Sequence, residues 1–568
     1  MATKCDTGDL RAIAASSLIA CSAILLASCG GGSGGASAPM ASAAPSPTMP
    51  MMAAATEAAS NTEDDQEGFR TVPKAHCSED DNPETGLQGQ VSAALRASGF
   101  SGFNCNLKLV GQVRGDGANW QTAEFKDGVH KCAYHGTSYQ TLNRTQLGVP
   151  IADVTNPAKP TVTGYLTTSS MLDPWESLKV NERRQLLGAD QGNDGGIGGF
   201  GGAAVDIYDI SGDCRYPQLL ASIAVGKSDG TTGIPAGVVG HEGSWAPDGL
   251  TYYGGDLTNK QYYAVDTTIP TMPKLLATWK TGVVVPAGGI ALLTHGMSIS
   301  DDGNRGYFVS LASLPAAGLA DPTVAPVNGL LIYDTSEIQA RKTNPQINLI
   351  SKLFWKDGGV SQHTINVHIA GRPYIVFVDE GGPAGNGTAG PAAACAAGLP
   401  PYPMARIIDI SDEKNPFIVS RLALEIHNPA NCSKTLPDIV GQSSFTYGSH
   451  YCSVDNRQDA TTLVCGYFNA GIRVFDIRHP RHPREIAYYN PAGTTTPSPG
   501  SNHIGVVARG SRGNWVAGGP DWCSAQAHLD ARERVLWTTC QDNGLLVLKF
   551  EEDVWPFPTS RTPPGEQN

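Results

Sequence analysis

A short pattern recurs six times along the chain and constrains the fold more than any other feature. Each copy contains three or four apolar residues, an Asp, then Ile, Val or Thr, a turn with Pro, and a second apolar segment. The six Asp residues are Asp153, Asp209, Asp266, Asp334, Asp409 and Asp476. The steps between them are 56, 57, 68, 75 and 67 residues. Self-similarity of this kind is typical of a repeat architecture in which each copy is one supersecondary unit.

We interpret each copy as a strand, a turn and a second strand. The Asp side chain can accept bonds from the turn backbone, and Pro restricts φ at the reversal. Four strands of about six residues with their turns take roughly 40–50 residues, the size of one propeller blade. A seventh copy, GLLVLKF, ends the fold with Lys549 in place of the Asp and has no outer strand of its own. The sequence therefore predicts an all-β fold, a seven-bladed β-propeller with a short N-terminal cap, in which the N-terminal segment completes the last blade.

Composition agrees with a turn-rich β protein. Charged residues make up 16% of the 568 residues, against roughly 25% in typical soluble domains. The chain has 66 Gly and 39 Pro, which argues against coiled coils and helix bundles. The formal net charge of −13 argues against a nucleic-acid partner.

The N-terminus resembles a bacterial lipoprotein signal. Lys4 and Arg11 precede an apolar run that ends at Leu-Ala-Ser-Cys, and this lipobox-like ending makes Cys29 the expected lipidation site. An ordinary secretory signal or an uncleaved anchor is the alternative. Gly30 follows the Cys where an Asp would resemble the inner-membrane retention signal. We therefore expect a lipid-anchored protein of the bacterial cell envelope, in the outer membrane if the organism is Gram-negative.

Five segments follow from these patterns. They are a signal peptide over 1–29, a disordered tether over 30–68, a cap over 69–128, the propeller over 129–552 and a C-terminal tail over 553–568.

The cysteines indicate an oxidising compartment. Thirteen Cys minus Cys5, Cys21 and Cys29 leaves ten, an even number that is consistent with disulfides in an exported protein. Two candidate pairs flank a strand–turn–strand and a third brackets a loop, although spacing alone does not fix connectivity. The candidate pairs are Cys452/Cys465, Cys523/Cys540 and Cys395/Cys432.

The turn segments resemble a known repeat. DVTNPAKP, DISDEKNP and DIRHPRHP are similar to the LVIVD repeat, a β-propeller repeat of bacterial surface and exported proteins. The resemblance covers about residues 130–550 and is informative for fold rather than for function. Two departures are the insertion SEIQARKTNP after Asp334 and the widened loop over 381–400.

Histidines recur at similar places in the repeats. The candidates are His135, His241, His295, His363, His450 and His503. The innermost strand of each blade lines the central channel, so side chains at equivalent positions form a ring. We therefore expect His241, His295, His363 and His450 at one mouth of the channel, where imidazoles could bind copper, iron or zinc.

Three further residues extend this candidate site. Glu242 could act as a ligand or a proton acceptor, and Cys523 or His528 occupies the corresponding place in the last blade. In the second blade, Glu182 or Arg183 would replace the His. The alternative is that each His is a structural partner of a turn Asp.

A second resemblance, limited to two short segments, concerns the identity of the metal. HEGSWAPDG and HGMSISDDG are distantly similar to phrases of the selenium-binding protein/methanethiol oxidase family, a copper-associated propeller. The likeness is too local to transfer an activity. Asp190, Asn193 and Asp194 have calcium-type oxygens at short spacing, but their Gly-rich context favours a plain loop over a calcium site.

Two classes of function remain open. The first is a binding or scaffold module that holds a protein, glycan or small molecule. The second is a metal-dependent oxidoreductase with a histidine ring. We expect a monomer in either case, attached to the membrane through its lipid.

Overall fold

A computed structural model describes residues 69–137, 144–172, 174–190, 205–223, 226–227, 240–387, 389–442, 444–499 and 518–557. The predicted signal peptide, the tether, Cys29, Asn193, Asp194 and His503 lie outside these residues. The described residues all belong to one unit, Glu63–Asn568.

Strands dominate the described residues. They are β1 Phe103–Cys105, β2 Leu107–Val113, β3 Thr122–Lys126, β4 Lys131–His135, β5 Val149–Asp153, β6 Thr161–Leu166, β7 Lys179–Asn181, β8 Leu186–Asp190, β9 Val205–Asp209, β10 Gln218–Ile223, β11 Gly226–Lys227, β12 Glu242–Trp245, β13 Thr251–Asp256, β14 Gln261–Asp266, β15 Lys274–Trp279, β16 Met297–Ile299, β17 Arg305–Ser310, β18 Asn328–Asp334, β19 Asn348–Trp355, β20 Gly359–Ile369, β21 Arg372–Gly381, β22 Ala405–Asp409, β23 Phe417–Arg421, β24 Cys452–Val454, β25 Thr462–Gly466, β26 Ile472–Asp476, β27 Arg484–Asn490, β28 His528–Asp530, β29 Val535–Cys540 and β30 Gly544–Phe550.

The helices are short. The α-helices are α1 Ala93–Ser98, α2 Ala316–Leu319, α3 Ser336–Gln339, α4 Ala389–Ala396 and α5 Cys432–Thr435. Three 3-10 helices cover Glu425–His427, Pro429–Asn431 and Leu436–Ile439. Among the residues that the structure describes, no helix is long and apolar enough to cross a membrane.

The strands form seven blades, each with four antiparallel strands, so the predicted seven-bladed β-propeller is confirmed. Strand β11 adds to blade three by pairing parallel with β15. Blades one to six run outward as β3–β6, β7–β10, β12–β15, β16–β19, β20–β23 and β24–β27, and blade seven as β28, β29, β30 and β2. The inner strands are β3, β7, β12, β16, β20, β24 and β28. Residues of all seven line a central cavity of about 320 Å³, which we call the channel.

The N-terminal segment closes the ring, as the final half-repeat predicts. Strand β2 pairs antiparallel with β30, from Leu107 opposite Phe550 to Val113 opposite Leu545. Strand β1 adds a fifth strand to blade six by pairing with β27.

The structure therefore assigns part of the predicted cap over 69–128 to the blades of the propeller. Its second half supplies β2 to blade seven and β3 to blade one. The start of the propeller was predicted from the repeat Asp residues, and β2 and β3 lie before the first of these, Asp153. Residues 69–102 lie over blades five and six, where the Val72 N–H donates to the Ala423 carbonyl.

The six repeat Asp residues end the third strand of their blades and fix the turn. Each Oδ1 accepts the backbone N–H two residues further along, at 2.8–3.1 Å. This bond sets the reversal into the outer strand. The Asp side chains thus serve the turns, as the repeat pattern predicts.

Apolar side chains join neighbouring blades. Trp245, Tyr252 and Tyr263 of blade three pack against Leu186 and Ile207 of blade two. The close approach requires a glycine at 188, because a Cβ there would lie 2.6 Å from the Trp245 ring.

Five disulfides link the ten cysteines of the described fold. They are Cys77–Cys105, Cys132–Cys214, Cys395–Cys432, Cys452–Cys465 and Cys523–Cys540. The last three are the pairs expected from the sequence. Cys452 and Cys465 are direct cross-strand partners in β24 and β25. Because Cys523 is bonded to Cys540, it has no thiolate for a metal, which corrects its candidacy as a ligand.

Candidate metal centre

Five buried side chains meet near the propeller axis, and we call them the His/Glu cluster. Glu176, His241, His295 and His450 stand one to three residues before β7, β12, β16 and β24, the inner strands of blades two, three, four and six. Glu380 comes from the end of β21 in blade five. Their exposed fractions are 0–7%. The turns into four inner strands and the end of β21 therefore bring together donors from five blades.

The first part of the cluster contains two imidazoles and one carboxylate. The Nε2 atoms of His241 and His295 are 3.1 Å apart. Glu176 Oε2 lies 3.4 Å from His241 Nε2 and 3.1 Å from His295 Nε2.

The second part is built around His450. Its Nε2 lies 3.1 Å from Glu176 Oε1 and 3.0 Å from Glu380 Oε2. Glu380 also reaches the first part, since its Oε1 is 3.9 Å from His295 Nε2.

Backbone carbonyls orient two of the rings. His295 Nδ1 lies 2.8 Å from the Gln362 carbonyl, and His450 Nδ1 lies 2.8 Å from the Ser524 carbonyl. Each Nδ1–H can donate to its carbonyl, so Nε2 faces the cluster. Metal-binding histidines in proteins are commonly oriented by a bond of this kind.

The electrostatics are those of ionised carboxylates facing protonated rings. Burial opposes charge on Glu176, but His295, His241 and His450 outweigh it and hold the pKa of Glu176 well below its ordinary value. Burial also disfavours the charged imidazole of His450, yet Glu176 and Glu380 raise its pKa to about 9. The pKa of His295 is likewise raised, chiefly by Glu176. A bound cation would take the place of these protons.

His363 does not join the cluster, which differs from the prediction. Its Nδ1 contacts the Gln362 side-chain oxygen, its ring lies 4.8 Å from that of Tyr451, and it lines the channel. Among the described residues its Nε2 has no hydrogen-bond partner. Burial lowers the pKa of His363 to about 3, so the ring is neutral.

Gln362 takes the place expected for His363. Its Nε2 lies 3.4 Å from Glu176 Oε2 and 3.1 Å from Glu242 Oε2. The pairing of β20 with β21 shifts register between Ser361 and His363. Since successive residues of a strand point to opposite faces, a shift of one residue exchanges the two side chains.

Two other candidates lie apart from the cluster. His135 ends β4, a second rather than an inner strand, and its Nδ1 contacts the Gly136 carbonyl at 3.2 Å. His528 does lie on an inner strand, but its Nε2 contacts Thr122 Oγ1 at 2.9 Å and its ring stacks on Trp537. Burial lowers the pKa of both rings to about 4.

Glu242 lies beside the cluster, as expected. Its Oε2 is 3.2 Å from His295 Nδ1 and accepts a bond from the Tyr451 hydroxyl. Its Oε1 is 3.5 Å from Lys179 Nζ, so it joins the cluster to the channel.

Sequence reasoning missed Glu176 and Glu380. In the second blade Glu176, rather than Glu182 or Arg183, occupies the place of the His, three residues before β7. Glu182 lines the channel, and Arg183 is exposed. The signal available was the position of Glu176 shortly before an inner strand. Glu380 has no such position before an inner strand, because it lies at the end of β21, the second strand of its blade.

Aromatic residues cover the other side of the cluster. They are Trp120, Trp175, Phe445, Phe468 and Trp522, which we call the aromatic cover. The Trp120 and His450 rings are 5.0 Å apart, and the Trp175 and His241 rings are 5.8 Å apart. Three members have positive φ values, +45° at Trp175, +52° at Phe445 and +46° at Phe468. Residues other than glycine rarely adopt a positive φ, and backbone strain of this kind is common at functional sites.

Comparisons with known proteins bear on the fold alone. No protein-family model matches the chain and no curated protein matches it, so the resemblance to the LVIVD repeat stays a prediction. Solved propeller structures do match. A "putative 6-phosphogluconolactonase" from Bacteroides uniformis is 11% identical over 76% of this chain and 96% of its own, with a TM-score of 0.47.

Two further solved structures show the same level of similarity. Hydrazine synthase from Kuenenia stuttgartiensis is 12% identical over 77% of this chain and 96% of its own, with a TM-score of 0.40. The β-propeller domain of Cps50 (Swd1) from Myceliophteria thermophila is 9% identical over 78% and 99%, with a TM-score of 0.42. Likeness at this level transfers no activity.

Proposed function

We propose that the protein is a metal-dependent oxidoreductase of the bacterial cell envelope. The observation that carries this proposal is the meeting of His241, His295 and Glu176. Two histidines and one carboxylate with open positions are the ligand set of non-haem iron oxygenases, and imidazole also suits copper and zinc.

The distances support a coordination site. An ion about 2.1 Å from each nitrogen or oxygen has neighbouring donors about 3.0 Å apart in octahedral and about 3.4 Å apart in tetrahedral geometry. The three distances among these donors are 3.1, 3.1 and 3.4 Å.

The surroundings support chemistry at this place. A redox-active ion, when bound, would supply the electron transfer. The aromatic cover excludes water from one side, which strengthens electrostatic interactions within the site. On the other side Glu242 leads to the channel, where, despite its burial, Lys179 and His295 hold its pKa below the ordinary value and its ionised carboxylate lies beside Lys179 and Tyr451. The cavity of about 320 Å³ limits the substrate to a small molecule.

Metal analysis tests the proposal. We expect the purified protein, loaded with Fe²⁺ without oxygen and then dialysed, to retain iron. His241→Ala should retain less iron than the wild type, because one of the three donors of this set is removed. His135→Ala is the matched control, a buried histidine outside the cluster that should leave the iron content unchanged. Wild-type protein that retains no iron, copper or zinc after loading would contradict the proposal.

A binding module is the second candidate. Residues from all seven inner strands line the channel, and the charged or polar Lys179, Glu182 and Ser298 are among the lining residues. Side chains of these kinds can donate and accept hydrogen bonds with a small polar ligand. The binding-module function is favoured if the protein binds no metal.

We also propose export and a lipid anchor at Cys29. The five disulfides support an oxidising compartment, where such bonds form and persist. We expect the full chain to fractionate with bacterial membranes and Cys29→Ser to leave them, because the acylated thiol is lost. Cys21→Ser, within the signal, is the control that should stay membrane-bound. Cys29→Ser in the membrane fraction would contradict the anchor.

A further inference from the structure

We propose that the His/Glu cluster binds two metal ions side by side, bridged by the carboxylate of Glu176. The inference rests on the proposed metal centre and adds a second ion to it. The first ion would bind His241, His295 and Glu176, and the second would bind His450, Glu176 and Glu380.

The donor atoms themselves form two groups. Glu176, His241 and His295 are one set, and Glu176, Glu380 and His450 are another, each with donor atoms within 4.8 Å of one another. Donors of a single ion at bond lengths of about 2.1 Å lie at most about 4.2 Å apart, and the histidine–histidine and histidine–carboxylate distances within each set are 3.0–3.4 Å. Two sets that share one residue are therefore the grouping expected for two neighbouring ions.

Glu176 uses a different oxygen toward each set. Its Oε2 faces His241 and His295 at 3.4 and 3.1 Å, whereas its Oε1 faces His450 at 3.1 Å. A carboxylate that presents one oxygen to each of two ligand sets has the geometry of a bridge. In known two-metal sites the ions are about 3.5–4 Å apart.

Glu380, like Glu176, faces the two sets with different oxygens. Its Oε2 lies 3.0 Å from His450 Nε2, and its Oε1 lies 3.9 Å from His295 Nε2. The Glu380 carboxylate therefore lies alongside that of Glu176 and reaches from His450 toward the ion bound by His241 and His295.

His450 is oriented as a ligand independently of the first set. The Ser524 carbonyl holds its Nδ1 at 2.8 Å and turns its Nε2 toward the two carboxylates. One nitrogen and two carboxylate oxygens leave open positions on the second ion. The competing role for His450 is that of a protonated partner of Glu176 and Glu380, which would use no second ion.

Zinc stoichiometry separates these roles. The purified full chain is dialysed against Zn²⁺, freed of unbound metal and analysed for zinc per chain. We expect two ions in the wild type, one in His450→Gln and none in His241→Gln/His450→Gln. His135→Gln is the matched control and should keep two. One zinc in the wild type overturns the second ion and leaves the proposed function standing, whereas no zinc overturns both. Two zinc ions retained by the double variant would place the metal elsewhere and overturn the inference.

A measurement on the wild type alone guards against variants that do not fold. With Mn²⁺ as the probe, two ions bridged by carboxylates are magnetically coupled, so we expect an electron paramagnetic resonance spectrum of a coupled pair. A spectrum of isolated Mn²⁺ at full loading would overturn the inference.

Discussion

At the residue scale, the partners of each ring nitrogen decide what a buried histidine does. His450 has carboxylates at Nε2 and is held protonated by them. His427 is equally buried, but its Nδ1 accepts the Leu424 N–H at 2.8 Å and its Nε2 donates to the Pro403 carbonyl at 2.9 Å. Both nitrogens of His427 are thus used by the backbone, and the residue is structural.

His427 predicts a specific pH dependence of stability. Burial lowers its pKa to about 4 in the folded protein. Its stabilising effect is therefore complete above the unfolded value of about 6.5 and is lost as the pH falls through about 4. We expect the difference in unfolding free energy between wild type and His427→Gln to shrink by roughly 3 kcal/mol from pH 7 to pH 4. Chemical denaturation at the two pH values measures it, and an equal difference at both would show that the ring is not kept neutral.

At the element scale, the start of each inner strand determines what reaches the axis. His241, His295 and His450 come directly before their strands or one residue earlier, so the rigid sheets hold their rings in place. Strand β20 begins earlier, and its register shift turns Gln362 toward the cluster and His363 toward the channel. Repeat equivalence thus locates the site, while strand register decides which side chain occupies it.

At the scale of the whole molecule, the ring depends on closure by β2. Leu107 is fully buried in a cluster with Leu548 and Phe550 of blade seven, whereas Lys108 points to solvent from the same strand. The buried face of β2 therefore joins the two ends of the described fold.

Two substitutions on β2 test the closure. We expect Leu107→Ala to lower the unfolding free energy by about 3 kcal/mol, as for other large-to-small changes in a packed core. Lys108→Ala is the matched control and should change it by less than about 0.5 kcal/mol. Thermal or chemical denaturation measures both. Equal effects of the two substitutions would show that β2 does not hold the ring together.

The sequence by itself determined the architecture, because its signals are local. Each repeat Asp bonds a backbone N–H only two residues away, and strand alternation acts over neighbouring residues. A turn repeated at blade-sized steps therefore predicted the propeller, and the final half-repeat predicted its closure. The positions of the cysteines around local strand pairs and one loop indicated three of the five disulfides. The same repeats indicated that His241, His295 and His450 approach the axis.

Tertiary structure alone decided the composition of the cluster. Glu176 and Glu380 are recognised only when blades two, five and six surround one point, because no local pattern relates a residue before β7 to one at the end of β21. The exchange of His363 for Gln362 depends on a one-residue register shift, which the strand sequence does not encode visibly. A ligand set assembled from distant blades is defined by distances across the ring, and those distances exist only once the seven sheets have closed.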